Sequence, residues 1–264
     1  MREKYKGKVI LITGASSGIG AAVSRQLAKL GARLVLASRN VKALEKLNSE
    51  LENPDIHTVV HLDLTSSDSI QSLYQELKNK NIHIDILINN GGISQRSSAL
   101  ETSFEVERLL METNYFGTVQ LSKLIAEDML ERKSGHIVCV SSVVGKFGCP
   151  LRSTYSASKH ALHGYFDSLR AELSRFGIKV SIVCPGFVNT QVSVNALNEK
   201  GEKTGVMDAR TEAGLTAEEF AKRFVNGLGR RSEFYIGRQE VLIVYLKRFF
   251  PRFYDSLIKR LTVV

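Results

Sequence analysis

The sequence predicts an α/β chain built as one doubly wound domain, a parallel sheet with helices on both faces, followed by a C-terminal amphipathic appendage. Three observations carry this. Short runs rich in Val, Ile and Leu alternate with longer segments of helical periodicity along the 264 residues. The short runs are apolar on both sides, as strands covered on both faces must be. Their alternation with helices implies right-handed crossovers and hence parallel pairing. No linker, low-complexity stretch or internal repeat interrupts the rhythm, so residues 1–237 are assigned to the domain and 238–264 to the appendage.

The elements follow in order. Residues 9–13 form the first apolar run, and a helix is predicted over 19–30. There Ile19, Val23 and Leu27 recur every four residues, and Gly31 marks the end. Strands are predicted at 33–37 and 58–62, with a helix over 41–51 between them. Thr65 precedes a helix running to Leu77, with Asp68 as its first-turn acid. A fourth strand is predicted at 84–88, then helices over 104–114 and 117–133. A fifth strand at 136–140 leads to a long helix over 153–176, and a sixth at 179–183 ends at Pro185-Gly186. Residues 189–214 are polar and aperiodic, too long for an idle connection, and read as a lid or substrate loop. A helix over 216–228 and a short strand at 234–236 complete the domain, and most phenylalanines read as core.

Composition excludes several classes. Apolar residues make up 43% and charged residues 24%, as in an ordinary globular protein. Of the net charge of +9, seven units fall in residues 222–264, where ten Lys/Arg face three Asp/Glu. That basic tail is either a plain solvated helix face or a surface for acidic partners or anionic lipid. Its mix of apolar residues (Val241 to Leu246) and basic ones (Lys247, Arg248, Arg252) suits peripheral membrane contact, a subunit interface, or a roof over a pocket. Nucleic-acid binding is excluded for want of any recognition motif. The three cysteines form no CxxC pair, and no N-x-S/T site occurs. Both features fit an intracellular chain with reduced thiols, cytoplasmic or peripherally membrane-associated. The N-terminal apolar run is too short for a signal peptide, and no stretch approaches the 20 or so residues of a membrane span. His57 with His61, and His160 with His163, lack the further ligands a metal needs, so no metal site is expected.

The first strand delivers the chain into Thr13-Gly14-Ala15-Ser16-Ser17-Gly18-Ile19-Gly20 and then a helix. Glycines there let the backbone turn tightly and approach an anion, and free N–H groups at the helix start face its charge. A Rossmann-type dinucleotide site follows. Strand two ends in Ser38-Arg39, with no carboxylate. A carboxylate would repel a 2′-phosphate, whereas the Arg39 fork and the Ser38 hydroxyl can bind one, which points to NADP(H).

A second constellation is catalytic. Tyr155 and Lys159 lie one helical turn apart on one face. A phenol titrates near 10 unperturbed, and a neighbouring ammonium favours its ionised form, which suits it to proton transfer at neutral pH. Ser142 stands at the end of strand five, where open α/β sheets bind ligands, and its hydroxyl can steady charge on a substrate oxygen. Asn114 is an indifferent helix former inside a helical stretch, which favours a side-chain role.

These motifs resemble those of the short-chain dehydrogenase/reductase family over about residues 7–237: TGASSGIG, Tyr155-Ser-Ala-Ser-Lys159, Ser141-Ser142 with Gly145, and Pro185-Gly186. The resemblance implies a catalytic quartet of Asn114, Ser142, Tyr155 and Lys159. Tyr155 would be the acid/base, Lys159 would also hold the nicotinamide ribose, and Asn114 would support a water chain. It implies coenzyme contacts from Gly14, Ser16, Ser17, Gly18, Ile19 and Gly20, then from Ser38 and Arg39. Asp63 and Leu64 follow, then Asn90, Gly91 and Gly92, then Tyr155 and Lys159, and finally Pro185, Gly186, Val188 and Thr190. Asp63 is open to two readings, an adenine contact or a helix cap. One departure is Gly91, where the family usually has Ala, and a looser turn is expected there. The tail is similar to that of the member-7 branch of the dehydrogenase/reductase group, which is linked to membranes and lipophilic carbonyls. The resemblance implies a steroid, retinoid or fatty carbonyl or alcohol as substrate, and a homodimer or homotetramer. Two rivals are a 3-oxoacyl-carrier or thioester reductase and a non-catalytic NADP-binding regulator. The complete quartet argues against the latter.

Overall fold

The computed structural model describes residues 2–259, and its strands fall where the apolar runs lie. These are β1 (Val9–Thr13), β2 (Arg33–Ser38), β3 (Thr58–His61), β4 (Ile86–Asn89), β5 (Gly135–Val140) and β6 (Ile178–Pro185). Beyond β6, β7 (Val188–Asn189) and β8 (Leu215–Thr216) pair with each other, and β9 (Glu233–Ile236) returns to the main sheet. The main sheet runs β3-β2-β1-β4-β5-β6-β9, all parallel.

Its connections are helices: α1 (Arg2–Tyr5), α2 (Gly18–Lys29), α3 (Val41–Ser49), α4 (Ser67–Asn79), α5 (Phe104–Met111), α6 (Gly117–Arg132) and α7 (Ser153–Leu173). After these come α8 (Ala209–Glu212), α9 (Ala217–Gly227), α10 (Leu242–Phe249) and α11 (Pro251–Ile258). Successive strand residues point to opposite faces. Ile10 and Ile12 join Leu27, Leu44, Phe220 and Phe224 from α2, α3 and α9 in one core. Leu11 joins Leu73, Ile125 and Phe166 from α4, α6 and α7 in the other. Each such fully buried side chain contributes about 1.5–3 kcal/mol. The doubly wound architecture is therefore held by two separate apolar layers.

Four expectations change in detail. The α4 cap is Ser66, whose hydroxyl accepts from Ser69 N–H at 3.2 Å, one residue later than Thr65. The two helices expected around Asn114 are continuous, joined by a π-helical turn at Glu112–Phe116 rather than a break. Residues 189–214 carry structure of their own, held by partners remote in sequence. Leu197 bridges to Gln95 and to Lys203, and Asp208 caps α8 and pairs with Arg96 and Arg152. Five of the twelve phenylalanines are exposed: Phe104, Phe116, Phe249, Phe250 and Phe253. Three of these lie on the outer side of the C-terminal helices, which bury only their inner side.

That inner side packs on the loop after β5. Val244 and Tyr254 cluster with Val143 and Phe147, and the Tyr254 hydroxyl donates to the Gly148 carbonyl. Residues 260–264 of the expected appendage lie outside the described residues. Among the described residues no helix is long and apolar enough to cross a membrane. Cys139 and Cys184 are buried within β5 and β6, and burial pushes the Cys139 thiol up to about 12.

Candidate active site

The strand order reverses between β1 and β4, and the loops leaving these strands part to form a cleft at the carboxyl end of the sheet. A cavity of about 590 Å³ occupies it. Gly14 turns the chain with φ +65°, and a Cβ there would stand 2.8 Å from the Gly91 Cα. Thr13 and Asn90 lock the two loops together. The Thr13 hydroxyl oxygen accepts from the Asn90 and Gly91 N–H groups at 3.0 and 2.9 Å. The Asn90 amide donates to the Thr13 carbonyl at 3.0 Å. Ser17, at the α2 N-cap, makes no side-chain cap bond, so the first-turn N–H groups stay free for an anion. At Gly91, where a looser turn is expected from the sequence, a Leu64 methyl stands 2.9 Å from where an alanine Cβ would be, so the position has little room for a side chain.

Ser16, Ser17, Gly18 and Ile19 line the cavity, as do Ser38, Arg39, Asp63, Leu64, Asn90, Gly91 and Gly92. Further along the same cavity lie Pro185, Gly186, Val188 and Thr190. Gly20 does not line it. A Cβ at Gly20 would sit 2.3 Å from the Gly14 carbonyl oxygen, so this glycine serves the close packing of helix against loop. Arg39 is exposed, and the Ser38 hydroxyl oxygen accepts from Asn40 N–H at 3.2 Å. The Asp63 carboxylate caps its own turn, accepting from the Thr65 N–H and hydroxyl at 2.9 and 2.8 Å. Burial pushes its carboxyl up, but the Thr65 bonds and the Arg39 charge outweigh this and hold it below the usual range.

Ser142, Tyr155 and Lys159 line the same cavity. The Ser142 hydroxyl caps the short turn Val143–Gly145 and donates to the Pro185 carbonyl at 3.4 Å. The buried Lys159 ammonium lies 5.8 Å from the Tyr155 ring centroid and donates to the Val140 carbonyl at 3.0 Å. Asn114 lies behind this group, outside the cavity lining. Its amide oxygen accepts from Ile93 N–H at 2.8 Å, and its NH2 donates to the Ser158 hydroxyl at 3.0 Å. A Cβ on Gly92 would be 2.9 Å from the Asn114 oxygen and 3.7 Å from the Lys159 nitrogen, so the three meet at one point. The π turn is what carries Asn114, in keeping with such turns at functional sites.

Two groups escaped the sequence reading. Gln95 is fully buried, and its carbonyl oxygen accepts from the Thr154 and Tyr155 N–H groups at 3.0 and 3.2 Å. It thereby caps α7, whose N-cap residue Arg152 offers no side-chain bond. A glutamine 58 residues from the helix it caps leaves no local signal. The other is a cationic sector, in which Arg152, Lys203 and Arg210 line the cavity. Asp208 neutralises one charge of the Arg96 and Arg152 pair.

Comparison with known proteins gives a consistent picture. The model of the short chain dehydrogenase family matches residues 8–201. A bovine protein named dehydrogenase/reductase SDR family member 7B is 39% identical over 97% of this chain and 82% of its own. A Drosophila melanogaster protein named dehydrogenase/reductase SDR family protein 7-like is 40% identical over 96% of this chain and 80% of its own. Among solved structures, a Burkholderia phymatum short chain dehydrogenase/reductase in complex with NAD superposes with TM-score 0.82 at 25% identity. It covers 98% of this chain and 97% of that one. A Streptomyces avermitilis short-chain dehydrogenase gives TM-score 0.80 at 26% identity, covering 97% and 98%.

Proposed function

This chain belongs to the short chain dehydrogenase family of oxidoreductases, and from that premise we propose that it moves a hydride between NADP(H) and a lipophilic carbonyl or alcohol. The observation that carries the reading is the convergence of Ser142, Tyr155 and Lys159 on the same cavity as the uncapped start of α2. The residues fit a dinucleotide. Glycines with no room for a side chain bring the backbone to the cleft, free N–H groups suit a pyrophosphate, and the exposed Arg39 suits a 2′-phosphate. A bound nicotinamide supplies or accepts the hydride.

The chain's own groups do the rest. Tyr155 gives its phenolic proton to the carbonyl oxygen, or takes the alcohol proton in the reverse direction. The Lys159 ammonium stands 5.8 Å from the centre of that ring, a positive charge beside the group that moves the proton. The Ser142 hydroxyl turns from the Pro185 carbonyl to hold the substrate oxygen. Asn114 anchors Ile93 and Ser158, and through them the Gly92 turn and the catalytic helix.

Val143, Val144, Phe147, Ile243 and Ile258 line the substrate side, which favours a hydrocarbon-bearing substrate. The cationic sector at Lys203 and Arg210 favours a second reading, a 3-oxoacyl thioester on an acidic carrier. The test is NADPH oxidation with steroids, retinals, fatty aldehydes and 3-oxoacyl thioesters. Turnover is expected with the uncharged lipophilic carbonyls. Turnover of thioesters alone would select the second reading, and none with any carbonyl would sink both.

The outer face of α10 and α11 supports contact with an anionic bilayer. Leu242, Tyr245, Phe249 and Phe253 are exposed beside Arg248, Arg252 and Lys259. Aromatic insertion with basic attraction to lipid headgroups is the pattern of interfacial helices. Phe249→Asp with Phe253→Asp is expected to lower sedimentation with phosphatidylserine vesicles by at least about fivefold, at unchanged thermal stability. Equal partitioning would leave this face to another copy of the chain. Truncation is the poorer test, because Glu240 and Ile243 line the catalytic cavity.

A further inference from the structure

We infer that Glu240, outside the span matched by the family model, is a positioning residue that clamps the Pro185–Val188 backbone from the C-terminal appendage. One carboxylate oxygen, Oε1, accepts from Phe187 N–H at 2.9 Å and from Arg238 N–H at 3.0 Å. It thus joins the end of β6 to the start of the appendage.

The neighbouring chain is shaped to admit this oxygen. A Cβ on Gly186 would stand 2.0 Å from Oε1, and one on Gly237 would stand 2.5 Å from it. Any side chain at either position would expel the carboxylate. Two neighbouring polar groups of the segment are tied to strands β9 and β8. Gly186 N–H donates to the Ile236 carbonyl at 2.9 Å, and the Phe187 carbonyl accepts from Leu215 N–H at 3.0 Å. Glu240 supplies the acceptor that the Phe187 N–H would otherwise lack.

The clamped segment faces the chemistry. Pro185, Gly186, Phe187 and Val188 line the cavity shared with Tyr155, and the Pro185 carbonyl holds the Ser142 hydroxyl. Releasing Phe187 loosens one wall of that cavity together with the partner of Ser142. The claim rests on the proposed reading of this wall as the nicotinamide side of a coenzyme site.

The variants Glu240→Ala, Glu240→Gln and Glu240→Asp test it in the full chain, read by NADPH fluorescence titration and steady-state kinetics. Gln keeps an oxygen at the same reach and is expected to bind NADPH as the unaltered protein does. Ala removes the acceptor and Asp withdraws it by one methylene. Both are expected to weaken NADPH binding about tenfold, the equivalent of one hydrogen bond, and to lower kcat as well. An Ala variant with unchanged affinity and kcat overturns the inference, as does a Gln variant as poor as Ala.

Should Ala and Asp fail to fold, hydrogen exchange of the unaltered, coenzyme-free protein decides. A protected Phe187 amide supports the clamp, and exchange at the unprotected rate overturns it. A protein that binds no NADPH at all would remove the proposed function, while the Phe187 exchange rate would still report on the clamp alone.

Discussion

Tyr155→Phe is expected to cut turnover by about 10³-fold, within the span typical for loss of a positioned acid/base, while NADPH affinity stays within about twofold. The substitution deletes a single oxygen. Among the described residues the Tyr155 hydroxyl has no protein hydrogen-bond partner, so its loss strands no donor or acceptor. The ring keeps its place over the Lys159 ammonium and beside Arg152, whose guanidinium lies 6.0 Å from the ring centroid. Thermal stability should therefore be unchanged. What disappears is the proton that must reach the carbonyl oxygen as the carbonyl is reduced. Single-turnover measurements with NADPH and an active carbonyl separate this step from binding. A Phe variant that retains kcat would remove Tyr155 from the chemistry and with it the role assigned to Lys159.

The reach of the sequence differs between the frame and its buttresses. Strands β1, β2 and β5 were readable because each is a short run rich in Val, Ile or Leu bounded by glycine or polar residues. Ser142, Tyr155 and Lys159 were readable because two local spacings, a strand end and one helical turn, bring them to the cavity. Asn114 was readable as an oddity, but not the π turn that carries it, since the flanking residues have ordinary helical periodicity. The supports of the site were not readable at all. Gln95 caps α7 from 58 residues away, and Glu240 reaches Phe187 from 53 residues away. Neither contact leaves a periodic trace in the chain. The order in residues 189–214 escaped for the same reason. Its polar groups find partners such as Arg96, Ser94 and Ser103 across the fold, so low hydrophobicity does not mean looseness there.

Arg39→Glu is expected to reverse coenzyme preference, lowering kcat/KM for NADPH by about 10²-fold and raising it for NADH, as reversal of a charge at a phosphate contact implies. The geometry makes this a test of charge more than of shape. Arg39 is exposed at the mouth of the cavity, so its attraction for a phosphate is partly screened and modest by itself. A glutamate turns that attraction into repulsion of the 2′-phosphate and offers an acceptor to a ribose 2′-hydroxyl instead. Asp63 sharpens the expectation. The Arg39 charge helps hold its carboxyl ionised, so the variant would place two carboxylates near the adenosine end with no cation between them. NADPH binding by the variant should then improve as salt is raised from 20 to about 200 mM, while the unaltered protein should lose affinity over the same range. Ser38 remains buried and bonded to Asn40 in both, so the turn that presents residue 39 is not at risk. Equal NADPH and NADH efficiencies in the unaltered protein, unmoved by Arg39→Glu, would show that the end of β2 does not read the phosphate. Coenzyme affinity would then rest on groups that meet the pyrophosphate common to both forms, the uncapped start of α2 first among them.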